Sequence, residues 1–163
     1  MSTFIEAIED FLAQKRIAVV GVSRSGDLPA NAIYRKLRQA GYEVFAINPN
    51  AQELEGDPCY PNLAAVPRPL DGVVIATHPT VTAQITRDCA RLGIRRVWIH
   101  RSFGQGSLSE EAVDYCLTHN ITVIPGGCPM MFCEPVDFGH KCIHWFLNLT
   151  GGLPKGSELE QMI

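Results

Sequence analysis

At 163 residues, with 46% apolar and 19% charged side chains, the chain has the composition of one compact globular domain and is too apolar to be disordered. Its net charge of −3 argues against a nucleic-acid or anionic-membrane surface, which needs an excess or a cluster of Lys and Arg. No apolar run approaches the ~20 residues that span a bilayer. The opening stretch "MSTFIEAIEDFLAQKR" is acidic and amphipathic, unlike a secretory leader. A cytosolic location is therefore expected, with the six cysteines as reduced thiols.

In chain order, Thr3-x-x-Glu6 reads as a capping box ahead of a helix whose apolar stripe is Phe4, Ile8, Phe11 and Leu12. "IAVVGV" (17–22) reads as a buried strand. Ile33, Leu37 and Ala40 recur at helical spacing until Gly41 closes the helix. "YEVFAI" (42–47) is the second strand, stopped by Asn48-Pro49-Asn50. Residues 51–70 are polar and proline-rich, which predicts irregular chain with one helical turn at Asn62–Val66. "GVVIAT" (72–77) is a third strand, followed by a helix with Val81, Ile85, Cys89 and Leu92 inward and Gly93 at its end. "IRRVWI" (94–99) is the fourth. Ser107-x-x-Glu110 then opens a helix with Ala112, Val113, Cys116 and Leu117 inward. "ITVI" (121–124) is the fifth strand, and a last helix is predicted at about 137–149.

Apolar strands alternating with helices imply an α/β fold. The expectation is a doubly wound, five-stranded parallel sheet, Rossmann-like, with strand order 3-2-1-4-5 and extra N- and C-terminal helices. The whole chain, 1–163, reads as one domain, with its core at about 12–132 and a C-terminal extension at about 133–163.

In such sheets, ligands sit outside the carboxyl ends of the strands, at the point where strand order reverses. The strand ends deliver Gly21, Ser23 and Arg24; Asn48 and Pro49; Thr77, His78 and Pro79; His100, Arg101 and Ser102; and Pro125 to Cys128. None is acidic, so the rim suits an anion. Gly21-x-Ser23-x-x-Gly26 keeps the outer glycines of a dinucleotide fingerprint. The N–H groups of the helix that follows can hold a phosphate, and the Ser23 hydroxyl can add a donor. NAD enzymes place an acid at the end of the second strand, for the ribose hydroxyls. Here Asn48-Pro49 stands instead. Asn48 can hydrogen-bond a ribose or base edge, and Pro49 offers a flat apolar face. Arg24 keeps NADP open.

"IAVVGVSRSGDLPANAIYRKLRQAGYEVFAINPN", "GDPCYPNL", "LDGVVIATHP", "LGIRRVWIH" and "GCPMM" together resemble the small stand-alone CoA-binding domain proteins, which are similar to the N-terminal CoA-binding domain of the succinyl-CoA synthetase α subunit. The resemblance covers about residues 12–132. It implies that Gly21, Ser23 and Arg24 meet CoA phosphates and that Asn48 and Pro49 border the adenosine. Thr77, His78 and Pro79 would pack on adenine or pantetheine. The synthetase's phosphorylated histidine lies in a later domain, so ligase activity does not carry over.

Two thiol and metal readings stand beside this. Cys128, after two glycines on the rim, is either a structural cysteine in a Cys-Pro turn or a thiol close enough to the CoA thiol to form a mixed disulfide. His140 and His144, one helical turn apart, can chelate a metal with Cys128 and Cys133 upstream, but the spacing fits no zinc pattern and solvent-facing histidines are the simpler reading. The apolar stripe of the extension suits a homodimer interface. The expected ligand is coenzyme A or an acyl-CoA, held without catalysis through His100 and Cys128 as well as the residues above. The alternative is an NAD(P)-binding redox sensor or a thiol-dependent enzyme using Cys128.

Overall fold

The computed structural model describes residues 3–135. Its frame is a seven-stranded sheet with four helices. The strands are β1 (Arg16–Val20), β2 (Glu43–Ile47), β3 (Glu53–Leu54), β4 (Asp57–Tyr60), β5 (Gly72–Ile75), β6 (Arg96–Ile99) and β7 (Thr122–Pro125). The helices are α1 (Phe4–Leu12), α2 (Pro29–Gln39), α3 (Pro79–Arg91) and α4 (Glu110–Thr118).

The sheet order is β3-β4-β2-β1-β5-β6-β7, parallel throughout except for the antiparallel β3–β4 pair. Five strands were expected and seven are present. The two extra strands fall in the 51–70 segment that reads as irregular. Their signal is weak because they are short and carry Pro58, which a strand tolerates only where a ladder bond is dispensable. β4 fills the place beside β2, so the 72–77 strand cannot sit there as 3-2-1-4-5 requires. It pairs with β1 instead. The helical turn expected at Asn62–Val66 is a 3-10 turn at Leu63–Ala65, capped by the Asn62 side chain.

Strand side chains alternate between two apolar layers, as the period of a pleated strand demands. Ile17, Val19, Val74, Trp98 and Ile124 face α1, α2 and the 128–133 segment. Ala18, Val20, Ile75, Val97 and Val123 face α3 and α4. Both faces are covered, which is why the central strands read as continuous apolar runs.

The α1 capping box is present: Glu6 N donates to Thr3 Oγ1, and Thr3 N donates to Glu6 Oε2 at 2.7 Å. Phe4, Ala7, Ile8 and Phe11 form its buried face. Phe11 is fully buried and meets the Trp98 ring edge-on at 5.4 Å, a burial worth about 2–3 kcal/mol. A Cβ on Gly72 would lie 2.8 Å from the Phe11 ring, so glycine leaves the socket that the ring fills. The Arg96–Asp10 ion pair, at 2.6 Å, also holds α1 to β6.

Two helix faces differ from expectation. α3 buries Thr82, Ala83, Thr86 and Cys89, while Val81 and Leu92 are exposed. Buried hydroxyls make this possible: Thr82 Oγ1 donates to Ser107 O at 2.7 Å and Thr86 Oγ1 to Ala83 O at 2.8 Å. The cap of α4 is Ser109, not Ser107; Ser107 is buried, and its hydroxyl donates to Thr77 O at 2.7 Å. No described helix is long and apolar enough to cross a membrane. The last predicted helix, with His140 and His144, lies outside the described residues.

Candidate functional site

Strand order reverses at β1: the chain runs to β2 and β4 on one side, then crosses to β5 on the other. Outside the carboxyl ends of β1, β5 and β6 lies a cleft of about 590 Å³. Gly21 follows β1, Ala76 to Pro79 follow β5, and His100, Ser102 and Ser107 follow β6; Leu28 and Pro29 come from the start of α2. Among the described residues, no acidic side chain lines it. A second cleft of about 640 Å³ shares His78 and Pro79 with it and continues toward Arg101 and Glu110.

Gly21 is required by close approach. Its φ is +110°, and a Cβ there would sit 2.3 Å from Ala76 O. The β1 turn therefore lies directly against the β5 turn. Beyond it, Ser23 Oγ accepts from Ser25 N at 3.2 Å and lies 3.1 Å from Ser25 Oγ, which curls residues 23–26 into a tight loop. α2 then begins with Leu28 as N-cap and Pro29 as its first residue, and no side chain caps it. Pro29 has no N–H, and Asn31 N and Ala32 N donate to Leu28 O at 3.0 and 3.3 Å, so what this helix start turns toward an anion is its positive dipole end.

At the start of α3, His78 is the N-cap. Its Nδ1 accepts from Thr80 N and lies 2.9 Å from Thr80 Oγ1. His100 is 8% exposed, with Nε2 3.2 Å from Ser102 Oγ. Burial holds its imidazole down to about 4, so at neutral pH it is an uncharged hydrogen-bonding group. The exposed Phe103 and Leu28, 62% and 47% accessible, give the cleft an apolar mouth.

Gly21, Thr77, His78, Pro79 and His100 are thus brought together. Ser23, Arg24, Asn48, Pro49 and Cys128 are not among the residues lining this cleft. Arg24 and Pro49 are exposed. Asn48 is engaged locally: its Nδ2 donates to Val22 O and its Oδ1 accepts from Asn50 N, both at 2.8 Å. It ties the β1 turn to the β2 turn. Cys128 is 4% exposed and packs in the α1/α2 core layer. Among the described residues, no cluster of His, Cys, Asp or Glu could hold a metal.

Sequence reasoning placed Ser102 on the rim with His100 but missed Leu28, Phe103 and Ser107 as cleft residues. It also missed Asn31, fully buried, whose Oδ1 accepts from Ser23 N at 3.0 Å and whose Nδ2 donates to Ser23 O at 2.8 Å. A polar residue on the apolar face of a helix, two residues after a proline, was the available signal.

A parallel sheet wrapped on both faces, with its cleft at the switch point and a glycine turn beneath an uncapped helix, defines a Rossmann-like α/β domain. A family model of the CoA-binding domain matches residues 15–134, and the chain belongs to that family. Over 113 residues it is 29% identical to the ADP-forming acetate–CoA ligase II of Archaeoglobus fulgidus, covering 68% of this chain but 17% of the ligase. The chain therefore spans under a fifth of that relative's length. The dinucleotide-forming acetyl-coenzyme A synthetase 1 of Ca. Korarchaeum cryptofilum is 30% identical, with a TM-score of 0.62 over 71% of this chain and 27% of that one. A hypothetical protein from Pyrococcus horikoshii OT3, 24% identical, has the same fold over nearly its whole length: its TM-score is 0.74, covering 83% of this chain and 92% of that one.

Proposed function

We propose that this domain binds coenzyme A or an acyl-CoA at the switch-point cleft and does not itself transform it. The observation that carries this reading is the N-terminus of α2, with no side-chain cap, beside the Gly21 turn, on a cleft that no acid lines among the described residues, in a chain of the CoA-binding family. The phosphates lie along residues 21–26 and the first turn of α2, with Arg24 as the adjacent cation. The adenosine lies toward Asn48 and Pro49. The pantetheine runs past Thr77, His78 and Pro79, under Phe103, to His100 and Ser102.

Binding without catalysis is supported by the cleft's chemistry. Its titratable groups are His78, engaged as a helix cap, and His100, buried and uncharged at neutral pH. Among the described residues, no carboxylate lines the cleft to orient either as a base. The test is isothermal titration with CoA, acetyl-CoA, NADP and ATP. Saturable binding of CoA or acetyl-CoA, weakened by Arg24→Glu, is the expected result. Binding of NADP with no response to CoA overturns the reading.

A further inference from the structure

The helix α2 carries a polar stripe at helical spacing, Asn31, Arg35 and Arg38, and the two-residue turn between β3 and β4 is seated on it. At that turn Glu55 and Gly56 both take positive φ, 55° and 83°, the geometry of a tight hairpin. The Glu55 carboxylate is thereby aimed inward: Oε1 accepts from Asn31 Nδ2 at 2.7 Å and from Arg35 Nη1 at 2.8 Å. The same Arg35 atom donates to Gly26 O at 3.2 Å. Asn31 in turn holds both the N–H and the C=O of Ser23. Arg38 bonds Glu55 O and Asp57 at 2.8 and 2.6 Å, and Tyr34 Oη donates to Asp57 at 2.7 Å.

Both ends of the 23–26 loop are therefore fixed by side chains that converge on one carboxylate oxygen of a distant hairpin. The Glu55 side chain is only 14% exposed. A buried amide with three bonds has one orientation, and that orientation sets where the Ser23 N–H and C=O point.

We propose that Asn31 and Glu55 are positioning residues: the β3–β4 hairpin presets the 23–26 loop in the shape that receives a phosphate, and ligand binding is coupled to the hairpin through Glu55. This rests on the reading above that the loop meets the ligand's phosphates. In this arrangement the hairpin orders the loop before the ligand arrives, so the ligand does not have to order it on binding.

The test compares wild type, Glu55→Ala and Glu55→Gln by three readouts. Ligand-observed NMR gives affinities for CoA and for pantetheine, which lacks the phosphates. Amide exchange at Ser23 and Gly26 without ligand reads the loop directly. Exchange at residues 53–57 with and without CoA reads the coupling. In Glu55→Ala, CoA affinity is expected to fall about tenfold while pantetheine affinity holds, since lost bonds to charged groups carry effects of that order. Ser23 exchange should accelerate in the free protein, and CoA-induced protection of the hairpin should vanish. Glu55→Gln keeps an acceptor for Asn31 and should restore most of both. Equal weakening for CoA and pantetheine, or unchanged Ser23 exchange in Glu55→Ala, overturns the proposal. If wild type binds no CoA, the ligand reading fails, and the Ser23 exchange still decides whether the hairpin sets the loop.

Discussion

His100 makes a sharp prediction about acid stability. It is 8% exposed at the floor of the cleft, and burial lowers its imidazole from 6.5 to about 4. The folded protein therefore resists protonating this group while the unfolded chain accepts the proton. Stability from this site is complete above about pH 6.5 and is lost as pH falls toward 4. With about 1.4 kcal/mol for each tenfold difference in proton affinity, the loss between pH 7.5 and 4.5 is about 2.5 kcal/mol. The carboxylates of Asp57 and Asp71 are held below 3.8 by Tyr34 with Arg38 and by Arg16 respectively, so their contributions disappear at still lower pH and do not blur this window. The assay is urea unfolding at pH 7.5 and 4.5 for wild type and His100→Gln. The variant cannot take up the proton, so the wild type should lose about 2.5 kcal/mol more than the variant over that interval. Equal losses in the two proteins would show that His100 is hydrated and titrates normally, and the argument from burial would fail.

Three further outcomes follow from the same geometry. Gly21→Ala places a methyl against Ala76 O at a φ of +110°; a destabilisation of about 3 kcal/mol or more in chemical denaturation is expected, with CoA binding lost. Arg24 is exposed and in no ion pair among the described residues. Arg24→Glu should therefore leave the melting temperature in place while weakening CoA about tenfold or more at low salt, by titration calorimetry. Cys59, Cys89, Cys116, Cys128 and Cys133 are all buried. Peptide mapping after brief treatment of the native protein with a thiol reagent, or with CoA disulfide, should find these five unmodified, and rapid adduct formation at Cys128 would revive the mixed-disulfide reading.

The parts of this fold that were legible in sequence are those that bury continuous apolar runs. β1, β5, β6 and β7 declare themselves because both of their faces are covered. The Thr3–Glu6 box marks α1 because its two bonds are local. β3 and β4 stayed hidden because their hydrogen bonds, not their side chains, define them: two and four residues long, they bury Leu54 and Cys59 and little else. Missing them also misplaced the strand order. In the cleft, Gly21, Thr77, His78, Pro79 and His100 were found because strand ends are predictable positions. Phe103 and Leu28 were not, since they line the cleft from a loop and a helix cap whose course no local pattern sets. The Ser107 cap failed for a related reason: a long-range bond to Thr77 O claims that hydroxyl, and Ser109 takes its place.

The Phe11 ring seated over Gly72 has a consequence for where this protein begins as a folding unit. The family match starts at residue 15, after α1 has ended. Yet Phe4, Ala7, Ile8 and Phe11 belong to the core layer that contains Trp98, and Gly72, inside the matched stretch, leaves the room that the Phe11 ring fills. A chain trimmed to the family match would keep every cleft residue and still leave an apolar trough open to water. The edge of the family match and the limit of cooperative folding are different lines here, and the glycine socket shows which side of the first line the second one falls.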